Sequence, residues 1–466
     1  MKIFSSLVLI IFALLFSPLQ NLPAQTTPFG LEDKSITALS FVPDIYLSTA
    51  KGYMYASTES SGIFRRNLDS PDSQWISIGL KEKKITTLYT YHWGAGPAQL
   101  ITIFAGVAPH PASGDSVLLY YYQLGSTTGW LPSKTGLKAH ASGDSVKCIG
   151  GFFFSGHMPP EPVFLATPDT LYKSFGMPTS LVWEGILDTV TVNTVRILQG
   201  IISISPQIIW IGGENSANKP FLANSYNKGN TWNFSYPEVN NENACYAIAI
   251  NPDHPDTVYA GLQGSVVKTV DGGKKWMPAP LANVPEKFTS IIIDPTDFQH
   301  LLAGGESAEN KAGLYESHDG GNNWVNVTPG TGLRGISGMY ADTSDNKLTV
   351  YIGTRGSGIY RYQTPLTNFN TDEKGEIPKD FKLYQNYPNP FNTQTVIRYY
   401  LPRESFVKIG LFDVLGHELR EIVHGKKEAG LHSLSWDGSG ETSGIYFIRL
   451  EANGKILDLK KMILLK

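Results

Sequence analysis

The chain has 466 residues, a net charge of −3, 17% charged residues and 12% aromatic residues, which leaves room for more than one domain. A net charge of −3 gives no electrostatic reason to expect nucleic acid or an anionic membrane as a partner, so no nucleic acid is expected. Two cysteines cannot build a disulfide scaffold, while 46 glycines and 29 prolines indicate many short strands divided by turns.

In chain order, Lys2 precedes an apolar run from Ile3 to Phe16, too short to span a bilayer, and Leu22-Pro23-Ala24 ends on a small residue. Residues 1–24 therefore read as a secretory signal peptide, a substrate of the Sec translocon. Residues 25–365 repeat one grammar of four short strands. Ile36 to Trp75, Ile85 to Trp130 and Val146 to Trp183 form three units. A fourth ends at Trp232, a fifth runs from Ala244 to Trp276, and a sixth from Phe288 to Trp324. The seventh, Ile336 to Tyr362, lacks its last strand. Gly-Leu follows the Trp strand elsewhere (Gly79-Leu80, Gly136-Leu137, Gly332-Leu333), and Gly30-Leu31 precedes the first unit, so Thr27 to Leu31 is expected to complete the seventh and close a ring. Cys148 and Cys245 fall in non-neighbouring units, three and five, and are expected to stay unbridged.

A phrase recurs in three of these units: Ser225-x-Asn227-x-Gly229-x-x-Trp232, Thr269-x-Asp271-x-Gly273-x-x-Trp276 and Ser317-x-Asp319-x-Gly321-x-x-Trp324, with the tryptophans 44 and 48 residues apart. A period in the forties belongs to propellers or solenoids. The phrase is turn chemistry: side-chain oxygens that accept turn N–H groups, glycines for positive φ, then an aromatic returning to the core. It resembles the Asp-box, or bacterial neuraminidase repeat, of sialidases, xyloglucan-cleaving glycosidases and sortilin-type receptors. The resemblance implies an all-β, seven-bladed β-propeller in which these twelve positions are structural.

Residues 366–380 are rich in Thr, Asp, Glu and Lys without apolar periodicity and read as a linker. Residues 381–466 form a second all-β unit, with alternation in Val396 to Leu401, Val407 to Phe412, Leu431 to Trp436 and Ile445 to Leu450, as expected of a β-sandwich of about seven strands. Its Asn386-Tyr387-Pro388-Asn389-Pro390-Phe391, Asp413-Val414-Leu415-Gly416, Trp436-Asp437-Gly438, Gly444-Ile445-Tyr446 and Lys460-Lys461 segments resemble the type A C-terminal sorting domain of type IX (Por) secretion. That resemblance implies an immunoglobulin-like sandwich, a cargo protein delivered to the medium or the outer cell surface, and two partners: the type IX translocon and its sortase-like peptidase.

Metal and cofactor signatures are absent from the sequence. The ten histidines are scattered, with no His-Glu-x-x-His, Cys-x-x-Cys or calcium loop, and His254 and His300 fall in equivalent first turns of units five and six. Loops between second and third strands carry Glu59, Asp115, Glu214, Glu306 and Glu309, and a loop of unit seven carries Arg355. These loops suit a broad face that binds a glycan or protein, with Arg355 as the ligand-contact candidate. The alternative is a glycoside hydrolase of the sialidase or xyloglucanase type, with Glu214 and Glu306 as candidate carboxylates.

Overall fold

The computed structural model describes residues 25–464 apart from 43–51, 71, 94–99, 109–116, 138–144, 152–161, 176–180, 199–207, 240–243, 253, 280, 282–286, 295–296, 330–331, 343–346, 366–379, 387–390, 392–393 and 428–429. The expected signal peptide, nearly all of the expected linker, Asp115 and the Pro388-Asn389-Pro390 turn lie outside the described residues.

All regular structure among the described residues is strand. β1 (Gln25–Gly30) is the first described strand. Seven four-stranded antiparallel sheets then account for residues 25–365. The first comprises β2 (Ile36–Val42), β3 (Tyr53–Thr58), β4 (Ile63–Asn67) and β5 (Ile76–Gly79). The second begins with β6 (Ile85–Trp93), the third with β10 (Cys148–Gly151), the fourth with β14 (Val190–Leu198) and β15 (Ile208–Asn215), and the fifth with β18 (Ala247–Ile250) and β19 (Val258–Gly261). The sixth comprises β22 (Lys287–Asp294), β23 (Asp297–Glu306), β24 (Ala312–Ser317) and β25 (Val325–Asn326). The seventh is β26 (Ile336–Asp342), β27 (Lys347–Thr354), β28 (Ile359–Pro365) and, as its fourth strand, β1.

The first strands touch in cyclic order, from β2 through β6, β10, β14, β18 and β22 to β26, which packs back on β2. The fold is thus all-β and propeller-like. Apolar clusters lie between neighbouring sheets: Tyr55 and Ile63 meet Ile85 and Ile103, and Ala247 and Tyr259 meet Phe288 and Leu301. Because both faces of a sheet are covered, second strands such as β19 are buried throughout instead of alternating. Fourth strands such as β25 face solvent. Cys148 and Cys245 are free thiols, pushed up to about 12 by burial.

The recurring phrase builds the same turn three times. Ser317 Oγ donates to Asp319 Oδ1 at 2.9 Å and accepts the Gly321 N–H at 2.9 Å, while Asp319 Oδ1 also accepts the Asn323 N–H at 2.8 Å. Thr269, Asp271 and Gly273 repeat it at 2.8 and 3.0 Å. Ser225, Asn227 and Gly229 repeat it at 3.0 and 2.9 Å, with Asn227 Oδ1 in the carboxylate's place.

These turns also join sheet to sheet. Asn224 and Lys268, which precede the first two phrases, and Lys173, at the matching position of the third sheet, reach the turn of the next sheet: Lys173 Nζ donates to Asn230 Oδ1 at 2.7 Å, Asn224 Nδ2 to the Gly272 carbonyl at 3.1 Å, and Lys268 Nζ to the Gly320 carbonyl at 2.8 Å. Trp75, Trp130 and Trp276 reach the other way, whereas Trp324 Nε1 stays in its own turn and donates to the Gly321 carbonyl at 3.0 Å. Trp130 Nε1 donates to the Ile78 carbonyl at 2.8 Å and Trp276 Nε1 to Ser235 Oγ at 3.1 Å, both on the fourth strand of the preceding sheet. Trp75 does the same across the closure, donating to the Phe29 carbonyl on β1 at 3.0 Å. Arg66 adds a 2.8 Å bond to that carbonyl and lies 4.0 Å over the Phe29 ring. Gly30 has no side chain for a steric reason: a Cβ there would sit 2.7 Å from the Trp75 indole.

The C-terminal unit consists of β29 (Lys382–Leu383), β30 (Gln394–Leu401) and β33 (Gly430–Asp437) in one sheet, and β32 (Glu418–Lys427), β31 (Ser405–Phe412), β34 (Gly444–Ala452) and β35 (Lys455–Leu464) in another. Ile397 and Tyr399 of the first sheet share one core with Ile409, Leu411, Ile448 and Met462 of the second.

Burial pushes the Asp319 carboxyl up, but hydrogen bonds from the Asn323 side chain and backbone outweigh it and hold the group below the usual aspartate range. A lowered folded-state value means that the Asp319 contribution is complete above the unfolded value and is lost as pH falls through the folded one. Asp319→Ala should therefore cost about 1–2 kcal/mol at neutral pH in a denaturant titration, Asp319→Asn less than about 1 kcal/mol. Both should flatten the acid limb of the stability curve. Equal costs for the two substitutions would contradict this account of the turn.

Candidate functional site

Three of the expected loops converge where the sixth, seventh and first sheets meet. They line an open groove of about 870 Å³ with Thr58, Glu59, Ser60 and Ser61 on one wall and Glu306, Ser307, Asn310, Arg334 and Arg355 on the other, with Asp33, Lys34 and Ser35 between. Nearly all of these side chains are polar. Arg355 is held through both its backbone and its side chain. Its N–H bonds the Gly335 carbonyl at 2.8 Å and its Nε donates to Glu306 Oε2 at 3.1 Å.

Glu306 stands at the end of β23 because Gly305 lets that strand close on β22; a Cβ on Gly305 would lie 2.4 Å from the Lys287 carbonyl. A β-bulge between Phe288 and Ser290 accompanies this approach, and the same irregularity recurs between Val192 and Thr194 beside Gly213-Glu214. Glu214 and Glu306 are thus equivalent positions of the fourth and sixth sheets. Only Glu306 lines the groove. The fifth sheet separates them, and Tyr246, raised first by burial and then by Glu214, lies under the Lys287 ammonium at 4.2 Å.

Each carboxylate of the opposing groove walls is held by a base. Glu59 Oε1 is 2.8 Å from Lys84 Nζ, and that hydrogen bond keeps its carboxyl below the usual range. Glu306 lies 3.1 Å from Arg355 and 3.8 Å from Lys287. Glu309 pairs with Lys311 outside the groove. Arg334, Lys34 and Asp33 are groove residues that a search of loops between second and third strands misses, because they sit on the connections between sheets. The signal was the repeated Gly-Leu connector: Leu31 and Asp33 adopt φ of 56° and 66°, as Leu80 and Glu82 do at 53° and 65°.

A second cavity of about 660 Å³ runs along the ring axis, lined by first strands of all seven sheets, with Arg196 the one charged residue among its described lining.

His300 is not a turn residue. It lies within β23, 2% exposed, with Nδ1 3.0 Å from Asp294 Oδ2 and Nε2 2.7 Å from Glu316 Oε1. Glu316 Oε2 accepts the Tyr362 hydroxyl of β28 at 3.0 Å. Burial alone would lower His300, but Asp294 and Glu316 outweigh it and raise the imidazole to about 9. His318 Nε2 lies 3.8 Å from the same Glu316 oxygen. Sequence spacing kept these residues apart; strand pairing brings them together.

In the C-terminal unit the resemblance residues serve packing and turns. Asn386 is fully buried and donates to Thr395 Oγ1 at 2.9 Å. Phe391 packs edge-on to Trp436 with centroids 5.6 Å apart, and its N–H bonds the Ile463 carbonyl at 2.9 Å. Asp413 Oδ1 accepts the N–H groups of Leu415 and His417 at 2.8 and 2.9 Å around Gly416, whose φ is 83°. Gly444 opens β34 opposite Leu464, Lys460 lies 3.2 Å from Asp458, and Lys461 pairs with Phe447.

Residues 385–465 match the family model of the secretion system C-terminal sorting domain. The chain therefore carries a type IX sorting tail and is a cargo of that system, routed to secretion or the cell surface. No helix of the described residues is long and apolar enough to cross a membrane. No curated protein matches the chain. Among solved structures it is similar to YCF48 from Cyanidioschyzon merolae, with 10% identity over 74% of this chain and 99% of that one and a TM-score of 0.47. It is also similar to the WD40 repeats of RRP9, with 11% identity over 73% and 97% and a TM-score of 0.47. An ancestral GH74 enzyme gives 14% identity over 72% of this chain and 48% of its own, with a TM-score of 0.49.

Phe391→Ala should destabilise the C-terminal unit by about 3–5 kcal/mol, since it removes a fully buried ring between Trp436 and β35. In calorimetry of the full chain, a transition assigned to this unit should fall while the larger one stays. A shift of the larger transition would show that Phe391 supports the ring of sheets instead.

Proposed function

We propose that the chain is a type IX cargo whose seven sheets are the blades of an Asp-box β-propeller, whose tail is an immunoglobulin-like sandwich, and whose propeller binds a glycan through the groove at the closure. The observation that carries the binding reading is the composition of that groove. Hydroxyls of Ser35, Thr58, Ser60, Ser61 and Ser307, the Asn310 amide and the cations Lys34, Arg334 and Arg355 offer many directional polar contacts and little apolar area. This suits a hydroxyl-rich ligand.

Hydrolysis is the less favoured use of the same face. A glycosidase needs one carboxyl kept protonated at working pH, which calls for apolar surroundings. Glu59 and Glu306 instead each face a cation. Glu214, the other candidate carboxylate, lies outside the groove.

The purified full chain on a glycan array, alongside a release assay on sialosides and plant polysaccharides, tests this reading. Arg355→Ala should weaken binding at least tenfold without altering the fold. Turnover that disappears in Glu306→Gln or Glu214→Gln would replace binding by hydrolysis. For the tail, removal of residues 381–466 should leave the propeller in the periplasm, and normal surface display of the shortened chain would end the sorting role.

A further inference from the structure

We propose that His300, Glu316 and His318 form a binding site for a divalent transition-metal ion of the zinc type, at the seam between the sixth and seventh sheets. Their donor atoms all lie within 4.8 Å of one another, with His300 Nε2 and His318 Nε2 at 2.7 and 3.8 Å from Glu316 Oε1. Metal bonds of about 2.0–2.2 Å in tetrahedral geometry place donors roughly 3.3 Å apart. The two imidazoles are stacked, with centroids 4.5 Å apart and planes 15° apart, and His300 Nε2 bonds Glu316 Oε1 directly at 2.7 Å. Binding therefore requires the His318 ring, about a third exposed, to turn out of the stack and the ion to replace the proton between His300 and Glu316. Two imidazoles and a carboxylate are a donor set that zinc and its first-row neighbours accept, and harder ions such as Ca²⁺ and Mg²⁺ do not seek.

The supporting groups are those a metal centre requires. Asp294 Oδ2 engages His300 Nδ1 at 3.0 Å, which turns Nε2 toward the site, and the Tyr362 hydroxyl fixes the second oxygen of Glu316 at 3.0 Å. Asp294 and His300 are 1% and 3% exposed at their side chains, so the orientation is set by a dry interior, while His318 is 35% exposed.

Comparison of equivalent positions argues that this is not generic blade architecture. Strand registers align Leu301–Ser317 with Val258–Thr269 and Ile209–Ser225. The residues corresponding to His300, Glu316 and His318 are therefore Thr257, Lys268 and Val270 in the fifth sheet and Ile208, Asn224 and Tyr226 in the fourth. Lys268 and Asn224 donate to the turn of the following sheet. The seventh sheet, which follows, has no such phrase to receive a bond, and in the sixth sheet all three positions carry side chains able to ligate a metal. His318 occupies the variable second position of the turn, where a structural role requires no particular side chain.

The full chain, stripped with a chelator and exchanged into metal-free buffer at about pH 8, where imidazole more readily exchanges a proton for metal, tests the site. Calorimetry with zinc sulfate should show one saturable equivalent, and the main thermal transition should climb with zinc concentration. Cobalt(II) should give the visible absorption of a four-coordinate centre. His318→Ala, at a partly exposed position that leaves the His300–Glu316 pair intact, should weaken uptake at least tenfold, whereas His254→Ala should leave it unchanged. Absence of saturable uptake by the natural chain overturns the site. So does undiminished uptake by His318→Ala, which would assign the metal to other groups such as His417 and Asp413.

Discussion

Ring closure is the constraint on which the rest of this protein depends. A single four-stranded sheet here has two apolar faces and cannot bury either alone, so every sheet relies on both neighbours and the last must meet the first. β1 supplies the missing edge of the seventh sheet, and its Phe29 carbonyl accepts both Trp75 Nε1 and Arg66. Between several other sheets the same task falls to bonds running in opposite directions: Trp130 and Trp276 to the preceding fourth strand, and Lys173, Asn224 or Lys268 to the following turn. The recurring turn is thus an acceptor in a relay between sheets as well as a local chain reversal.

The relay cannot be uniform, because the closing sheet is assembled from both ends of the ring and lacks a turn of this kind. The features without repeats collect there. Glu316 stands where a donor would otherwise be and takes its bonds from His300 and Tyr362. On the same seam, the 58–61 and 306–310 turns are left facing each other across a polar groove, with Arg355 braced against Glu306. Repeated positions maintain the ring; the break in repetition is where chemistry has room.

The C-terminal unit follows a different economy. Its first segment is sewn to its last strand: the Leu383 N–H bonds Asp458 at 2.9 Å, the Gln385 amide bonds the Lys461 carbonyl at 2.7 Å, and Phe391 bonds Ile463. Asn386, Phe391 and Trp436, which lie in the stretch that matches the sorting-domain model, are core groups. Surface groups such as Leu415 and Ile456, at 77% and 62% exposed, are not demanded by that core.

The sequence by itself determined the elements with short-range causes. The Ser317–Trp324 phrase and its two copies specify turns because each oxygen finds its N–H within four residues, and the Gly30-Leu31 echo was enough to assign the closing strand. Segments such as Asn386 to Phe391 and Trp436 marked the sorting tail. Only the tertiary structure decided the sites. His300 and Glu316 are sixteen residues apart and read as unrelated until β23 pairs with β24. Glu306 and Arg355 are 49 apart and meet because a bulged, glycine-edged strand tip faces the next sheet. Glu214 and Glu306, which the repeat made equivalent, stand on the fourth and sixth sheets with Tyr246 and Lys287 feeling both carboxylates. Contacts between sheets depend on register and ring angle summed over the whole circle, and no local pattern of residues carries that sum.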